Sequence, residues 1–177
     1  PASRGAPAPY GVTCLDARSG VTRTVAGAPL GRGAFDKLNY GALGPGGRLL
    51  LPVNGEVLAV LDPRTGAVAR RPMRSGVHQA GVALSRGRLL TVGAESLTGG
   101  TPNLSVFDLR RGRERVIELD RPHEDIAVSR DGATAYLSGG YTRGGWAGLT
   151  IVDVASGRTR ELELPAEPLG IAVLPAR

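Results

Sequence analysis

Three adjacent residues with acid–base or metal-binding side chains, His123, Glu124 and Asp125, are the first candidates for chemistry in this chain. Imidazole titrates near neutral pH, and carboxylates exchange protons and bind hard cations. Adjacent residues on a strand point to opposite faces, so the three side chains cannot all converge on one ion. A solvated loop is therefore the competing interpretation. His78 is a weaker candidate, because no carboxylate lies beside it.

A glycine-rich segment, residues 141–148, is the second candidate, because it contains Tyr141, Arg143 and the only tryptophan, Trp146. Aromatic and arginine side chains on an exposed loop are typical of a partner-binding surface. The alternative is that Tyr141 or Trp146 covers the edge of a sheet. The two interpretations differ in whether the aromatic rings are exposed.

The most conspicuous acidic residues recur at intervals of 46, 46 and 45 residues, each with a glycine four residues later: Asp16, Asp62, Asp108 and Asp153. Aspartate accepts hydrogen bonds from backbone groups that follow it, and glycine supplies positive φ. This regular placement predicts one structural turn per repeat, and it argues against a shared catalytic or metal site.

The stretch from His123 to Pro165 supplies the repeating unit. Turn signals such as Asp131-Gly132 and Ser156-Gly157 divide it into four apolar runs too short for helices. A period near 45 residues with four strands predicts an all-β protein, a β-propeller of four-stranded antiparallel blades. The predicted ranges are 1–9 for a linker or frayed end, 10–27 for a partial blade, about 35–76, 77–122 and 123–168 for three complete blades, and 169–177 for one further strand.

Innermost strands line the central channel of a propeller, so residues at their starts should surround one channel mouth. Asn39, Gln79 and His123 occupy this place, two residues before Gly41, Gly81 and Asp125 respectively. The mouth is therefore a candidate ligand site. Residues 95–103 and 141–148 fall at equivalent points of two repeats and are predicted to be long loops.

The segments IAVSRDGATAYLSGG, LTIVDVASG, LAVLDPRTG and GIAVLP resemble the repeats of the YVTN-type β-propeller family, which are bacterial and similar to WD repeats. The resemblance covers nearly the whole chain from Tyr10. It implies an extracytoplasmic or secreted location, and it allows binding proteins, lactonase-like enzymes and cofactor-bearing oxidoreductases. Quinone-binding members usually carry a tryptophan after the turn glycine, and none follows it here. We therefore predict no cofactor.

The composition of the chain limits the classes of partner that it can bind. The formal charge of +6 comes almost wholly from arginine, and arginines such as Arg70, Arg71, Arg110, Arg111, Arg113 and Arg115 fall in turns and outer strands. We expect them to point outward around the rim, which argues against a nucleic-acid site. Cys14 is the only cysteine and is predicted to be an ordinary strand residue, and no metal-binding motif is present. No apolar run is long enough to span a membrane.

The strand count has a consequence for assembly. Two strands at the start, twelve in three blades and one at the end make 2 + 12 + 1 = 15, one short of a four-bladed ring. This favours an excerpt of a larger propeller, with open blade edges through which the chain can self-associate. The alternative is a complete four-bladed ring in which residues 1–9 supply the missing strand despite their prolines.

Two functions are consistent with these patterns. The first is a non-catalytic scaffold that binds a protein or a small molecule through the channel mouth or the two long loops. The alternative is a lactonase-like or other hydrolytic enzyme with its site at the channel mouth.

Overall fold

The computed structural model describes residues 12–25, 41–53, 57–74, 81–96, 99–139, 146–168 and 170–174. Fourteen strands lie within these ranges, with one 3₁₀ turn at Pro45–Gly47. They are β1 (Val12–Leu15), β2 (Thr22–Val25), β3 (Ala42–Leu43), β4 (Leu49–Val53), β5 (Val57–Leu61), β6 (Val68–Pro72), β7 (Val82–Ser85), β8 (Arg88–Ser96), β9 (Gly99–Asp108), β10 (Arg113–Glu118), β11 (Asp125–Val128), β12 (Thr134–Ser138), β13 (Gly148–Asp153) and β14 (Thr159–Glu163).

The strands form four antiparallel sheets, each a simple meander. Strands β1 and β2 form a two-stranded sheet, the N-terminal hairpin. The other sheets have four strands each: the first blade (β3–β6), the second blade (β7–β10) and the third blade (β11–β14). The predicted fold class, an all-β protein with three complete four-stranded blades and a partial unit before them, is confirmed. Residues 170–174 form no strand, although the sequence predicts one over 169–177. The linker predicted for residues 1–9 lies outside the described residues.

The first strand of each blade lies nearest its neighbours. Strand β7 contacts both β3 and β11, and the Gly81 N–H donates to the Glu124 carbonyl at 3.0 Å. Because the first strands approach one another while the fourth strands lie apart, the sheets radiate from a common centre. This is the arrangement of propeller blades.

Apolar residues of the strands are buried between successive sheets, because each sheet packs face to face against the next. One cluster joins the hairpin to the first blade, a second joins the first blade to the second, and a third joins the second to the third. Leu61, Phe107 and Val152, each just before a turn aspartate, are at most 1% exposed. Cys14 is a half-buried member of the first cluster and is a strand residue, as predicted.

The turn aspartates close their turns. Asp108 Oδ1 accepts hydrogen bonds from the N–H groups of Arg110 and Arg111, both at 2.9 Å, and Gly112 follows with φ 63°. These bonds, first among them that from Arg111, hold the pKa of the Asp108 carboxyl below its ordinary value. The carboxyls of the equivalent residues likewise accept backbone N–H bonds and have lowered pKa values: Asp16, Asp62 and Asp153. The structural prediction for this set is confirmed.

Arginines of the outer strands do not simply point outward, and that prediction is wrong for two of the residues named. Arg71 donates to the Leu109 carbonyl at 2.9 Å, and Arg115 donates to the carbonyls of Val154 and, at 2.7 Å, Ala155. Arg23 makes the same contact with the Pro63 carbonyl. Each guanidinium thus binds backbone oxygens in the aspartate turn of the next blade.

One predicted loop is also wrong. The sequence predicts a long loop over residues 95–103, but β8 continues to Ser96 and β9 begins at Gly99. The ladder between them contains an irregularity near Ala94 and Ser96, so the glycines permit a long hairpin instead of breaking it. The predicted Asn54-Gly55 turn lies outside the described residues.

Candidate functional site

The third blade has two ends. Its turn end contains the tight turns at residues 129–133 and 153–158, and its loop end contains residues 121–125, 138–139 and 146–148. The candidate residues that the structure describes, His123, Asp125 and Trp146, all lie at the loop end.

Trp146 is only 8% exposed and packs directly onto glycines. A Cβ added at Gly148 would lie 1.6 Å from the indole Cζ3, and one added at Gly139 would lie 2.9 Å from the indole Nε1. The ring therefore occupies space that any larger residue at either position would fill. The indole N–H donates to the Pro122 carbonyl at 3.3 Å. Trp146 is therefore buried at the loop end, against the glycines that follow β12 and begin β13.

His123 is buried beneath the tryptophan. Its ring centroid lies 5.9 Å from that of Trp146 in an edge-to-face arrangement, and Nε2 shares a 2.7 Å hydrogen bond with the Thr150 hydroxyl. Burial lowers the pKa of His123 to about 4, because the charged form would lose its hydration. The interaction with the Arg121 backbone raises the pKa, but by less than burial lowers it. The other ring nitrogen, Nδ1, is buried and has no hydrogen-bond partner among the described residues. His123 is therefore neutral near pH 7, and it is not the solvated residue that the competing interpretation describes.

Arg121 forms the exposed side of this cluster. Its guanidinium carbon lies 4.8 Å from the centre of the Trp146 ring, within the range of a cation–π contact. Its Nε also pairs with Glu161 Oε2 on β14 at 3.3 Å. Sequence reasoning did not select Arg121, because its role depends on a ring 25 residues away in the chain.

The carboxylate of Asp125 lies among three backbone segments, at Ile126, Ile171 and Gly81. Oδ1 accepts the N–H of Ile126 at 2.8 Å, and Oδ2 accepts the N–H of Ile171 at 3.2 Å, so the carboxylate links β11 to the segment that follows the third blade. On the other side, a Cβ at Gly81 would lie 2.5 Å from Oδ1. Both carboxylate oxygens of Asp125 therefore bind backbone groups of the blades.

The remaining predicted site residues, Asn39, Gln79, Tyr141 and Arg143, lie outside the described residues. His123 and Trp146 were assigned to two separate surfaces, the channel mouth and the loop, yet their rings are in contact. The available signal was the pair of glycines that flank the loop, since glycine within a strand often marks a close approach.

Sequence reasoning missed a cleft of about 460 Å³ at the turn end, between the second and third blades. It is lined by Arg88, Asp108, Arg111, Arg113, Glu114, Arg115 and the turn at Val154 and Ala155. One of the lining residues, Arg115, donates from its guanidinium to the two carbonyls of that turn. The cleft therefore lies beside a contact that joins the second and third blades.

Among the described residues, no group of three or more His, Cys, Asp or Glu side chains is placed to bind a metal ion. No helix formed by the described residues is long and apolar enough to cross a membrane.

Comparison with known proteins supports the fold. No family model matches the chain, and no curated protein matches it. By structure, 136 solved chains match. One of them is hydrazine synthase of Kuenenia stuttgartiensis, with a TM-score of 0.61 and 21% sequence identity over 77% of this chain. The chain spans 38% of that protein's length. At this identity the likeness shows a propeller-like fold and no activity.

Proposed function

We propose that this chain is a non-catalytic propeller scaffold that binds a protein or a small-molecule ligand. The observation that carries the proposal is that both acid–base candidates are engaged in contacts within the third blade or with the segment that follows it. His123 is bonded to Thr150 beneath Trp146, and Asp125 binds the N–H groups of Ile126 and Ile171. A general base needs a proton-accepting atom that can reach a substrate. The ring of His123 is buried, and both carboxylate oxygens of Asp125 accept backbone N–H groups, which favours a structural role for both side chains.

The partner surface that we propose lies around the exposed guanidinium of Arg121 and includes Tyr141 and Arg143 from the adjoining segment. Trp146 supports this surface from beneath, since it is itself buried. Asn39 and Gln79, with His123 and Asp125, form the alternative surface at the channel mouth. Arginine and tyrosine are the residue types that most often carry binding energy.

Kinship with the YVTN-type repeats is also a proposal. Its support is the register of the aspartate turns, each of which closes on a glycine with positive φ. A bacterial source and an extracytoplasmic location would follow from that kinship.

A hydrolysis assay distinguishes the scaffold from a lactonase-like enzyme. We expect p-nitrophenyl acetate and δ-valerolactone, with and without Ca²⁺ or Zn²⁺, to be hydrolysed no faster with the protein than in buffer. His123→Gln and Asp125→Asn should then leave the rate unchanged. Turnover above buffer that falls in either variant, with the fold intact by circular dichroism, would establish the enzyme instead.

A selection experiment tests the surface itself. Peptides selected from a displayed random library on the immobilised chain should bind at least about 10-fold more weakly to Arg121→Ala, Tyr141→Ala or Arg143→Ala. Arg130→Ala, an exposed arginine at the turn end, is the matched control and should bind like the wild type. Peptides that bind all three variants normally would show that the surface is misassigned.

A further inference from the structure

The cleft at the turn end has more arginines than the contact between its walls requires. Four arginines and two carboxylate residues line it: Arg88, Arg111, Arg113, Arg115, Asp108 and Glu114. Its walls belong to the second and third blades, both of which have all four strands. In the described part of the chain, Arg115 is the one lining arginine that donates hydrogen bonds to the third blade. The contact between the blades therefore accounts for one arginine of the four.

The other aspartate turns show that turn closure does not require these arginines either. Arg111 and Arg113 lie three and five residues after Asp108. The other three turns carry one arginine at these places: Ser19 and Val21, Thr65 and Ala67, Ser156 and Arg158. In all four turns the glycine N–H donates to the aspartate carbonyl at 2.8 Å. The turn of the second blade thus has arginines that its own closure does not use.

Strand pairing places Arg88 and Arg113 on either side of Asp108. Asp108 pairs with Arg88 on β8 and with Arg113 on β10. Paired residues of antiparallel strands project from the same face of a sheet. Val106, two residues before Asp108, packs in the cluster shared with the third blade, so this row also faces the third blade. The two arginines therefore flank one carboxylate on the cleft side of the second blade.

Both carboxylates of the cleft are bound by groups of the protein. Asp108 Oδ1 accepts two backbone N–H groups of its own turn, and Oδ2 lies 3.6 Å from Nη1 of Arg111. Glu114 accepts the Ser105 hydroxyl at 2.6 Å and the N–H of Arg74. Neither carboxylate forms a hydrogen bond or an ion pair with the remaining two arginines of the cleft.

Arg88 and Arg113 are therefore available to a ligand. Both are exposed, and neither forms a hydrogen bond or an ion pair with any described residue, although the charge of Arg88 acts on Asp108 from a longer distance. The ion pair of Arg111 is weak, because its side chain is 75% exposed. Guanidinium groups bind carboxylates through two parallel N–H bonds. The cleft thus has the donors for an acidic ligand.

The position of Asp108 selects among acidic ligands. One compact anion between Arg88 and Arg113 would meet its like charge. Paired residues of neighbouring strands are about 5 Å apart, so the two arginines are separated by about 10 Å at Cβ. Alternate side chains of an extended peptide point the same way and are about 7 Å apart, a difference that arginine side chains can span. The cleft volume of about 460 Å³ also falls in the range of sites for ligands with several groups.

We propose that the cleft between the second and third blades binds an extended acidic segment of a partner protein. One carboxylate of that segment binds Arg88, and another, two residues along, binds Arg113. Arg111 adds positive charge beside them. The site lies at the turn end, whereas the surface around Arg121 lies at the loop end, so neither proposal depends on the other.

Fluorescence anisotropy with three fluorescein-labelled peptides and the full chain tests the proposal. The first peptide has two glutamates at alternate positions within glycine and serine, the second has them adjacent, and the third has glutamines instead. At about 20 mM salt, where charges are weakly screened, we expect a Kd of about 100 μM or tighter for the first peptide. The second has the same charge and should bind at least about 3-fold more weakly, and the third at least about 10-fold more weakly.

Two arginine variants locate the site. Arg88→Ala and Arg113→Ala should each weaken binding of the first peptide about 10-fold or more, because each loses one charge-assisted contact. Circular dichroism checks that their fold is retained. Arg110→Ala is the matched control, since Arg110 is exposed on the same turn and does not line the cleft. It removes the same charge and should change the Kd less than about 3-fold.

A first peptide that fails to bind at about 1 mM, or that binds no better than the second, overturns the proposal. Binding that both variants retain overturns it too, and a loss in Arg121→Ala alone would place the peptide at the loop end instead. Inorganic phosphate that displaces the labelled peptide as well as unlabelled peptide does would show a site for single anions, and would overturn the peptide as its occupant.

Discussion

The two ends of the third blade are held by different kinds of contact. At the turn end, Asp153 and Gly157 close a turn through hydrogen bonds within five residues of sequence, and the same turn recurs in the other blades. At the loop end, His123 and Trp146 lie 23 residues apart and meet over Gly148, and the second blade has no equivalent of this pair. The turn end is thus a local, repeated device, whereas the loop end is unique to one blade.

This difference indicates which end of the third blade contributes more to the free energy of unfolding. A repeated turn contributes a little in each blade, so the loss of one leaves the others intact. The loop end buries the chain's only tryptophan on two glycines beside a neutral histidine, so its contacts depend on one another. We expect substitutions there to have larger effects that propagate to several residues.

Trp146→Ala should have the largest effect. Removing a buried tryptophan costs about 3–5 kcal/mol of unfolding free energy through lost burial and the cavity left behind. Urea denaturation followed by far-ultraviolet circular dichroism measures it, with Trp146→Phe as a control that refills part of the space. If Trp146→Ala unfolds at the wild-type urea concentration, the ring is not the packed element described.

The pH dependence of stability should follow His123. Its pKa is about 4 in the folded chain and 6.5 ordinarily, so between these values the unfolded chain binds a proton that the folded chain excludes. Stability should be complete above pH 6.5 and fall as the pH is lowered toward 4, by about 3 kcal/mol at most. A ligand at the channel mouth would then sense this titration near pH 4, not near 6.5 as the sequence suggests.

Urea denaturation of the wild type and of His123→Gln between pH of about 7 and about 4.5 tests this dependence. The slope in this window should be reduced in the variant. The turn aspartates do not account for it, because their lowered pKa values reduce stability only as the pH falls through and below 3.8. Equal slopes in both proteins would show that His123 is not desolvated.

Gly148→Ala should disturb the loop end specifically. The new methyl group would overlap the indole, and overpacking of this kind costs about 1–3 kcal/mol. Because Trp146 is the only tryptophan, its fluorescence reports on this site alone. Gly157→Ala is the matched control: its φ of 80° makes alanine strained, but the nearest atom is 3.7 Å away. The emission maximum should shift in the first variant and stay unchanged in the second.

The sequence predicted what is local and repeated. The turn at Asp108 and Gly112 recurs at a fixed period, and turn chemistry follows from residue type. The strands, the blades and the structural role of the aspartates could therefore be predicted from the sequence. The contacts of Arg115 could not, since strand periodicity says which face a side chain occupies and not which carbonyl lies opposite it. The burial of Trp146 depends on two distant glycines in the same way. The continuation of β8 through Ser96 could not be predicted, because a glycine-rich segment is typical of loops and can also continue a strand through an irregularity in the ladder.

The smallest effect should come from the turn aspartates. Asp153→Ala removes hydrogen bonds to the N–H and hydroxyl of Ser156 on an exposed turn, and it should lower the Tm by only about 2–4 °C. Asp108→Ala should do the same, and because the two turns lie in separate blades with no shared hydrogen-bond partner, the double variant should lose about the sum of the two shifts. Differential scanning calorimetry measures all three. A double variant that loses much more than the sum would show that the turns cooperate across blades, through the arginines that bind their carbonyls. The contacts at the turn end would then depend on one another, as those at the loop end do.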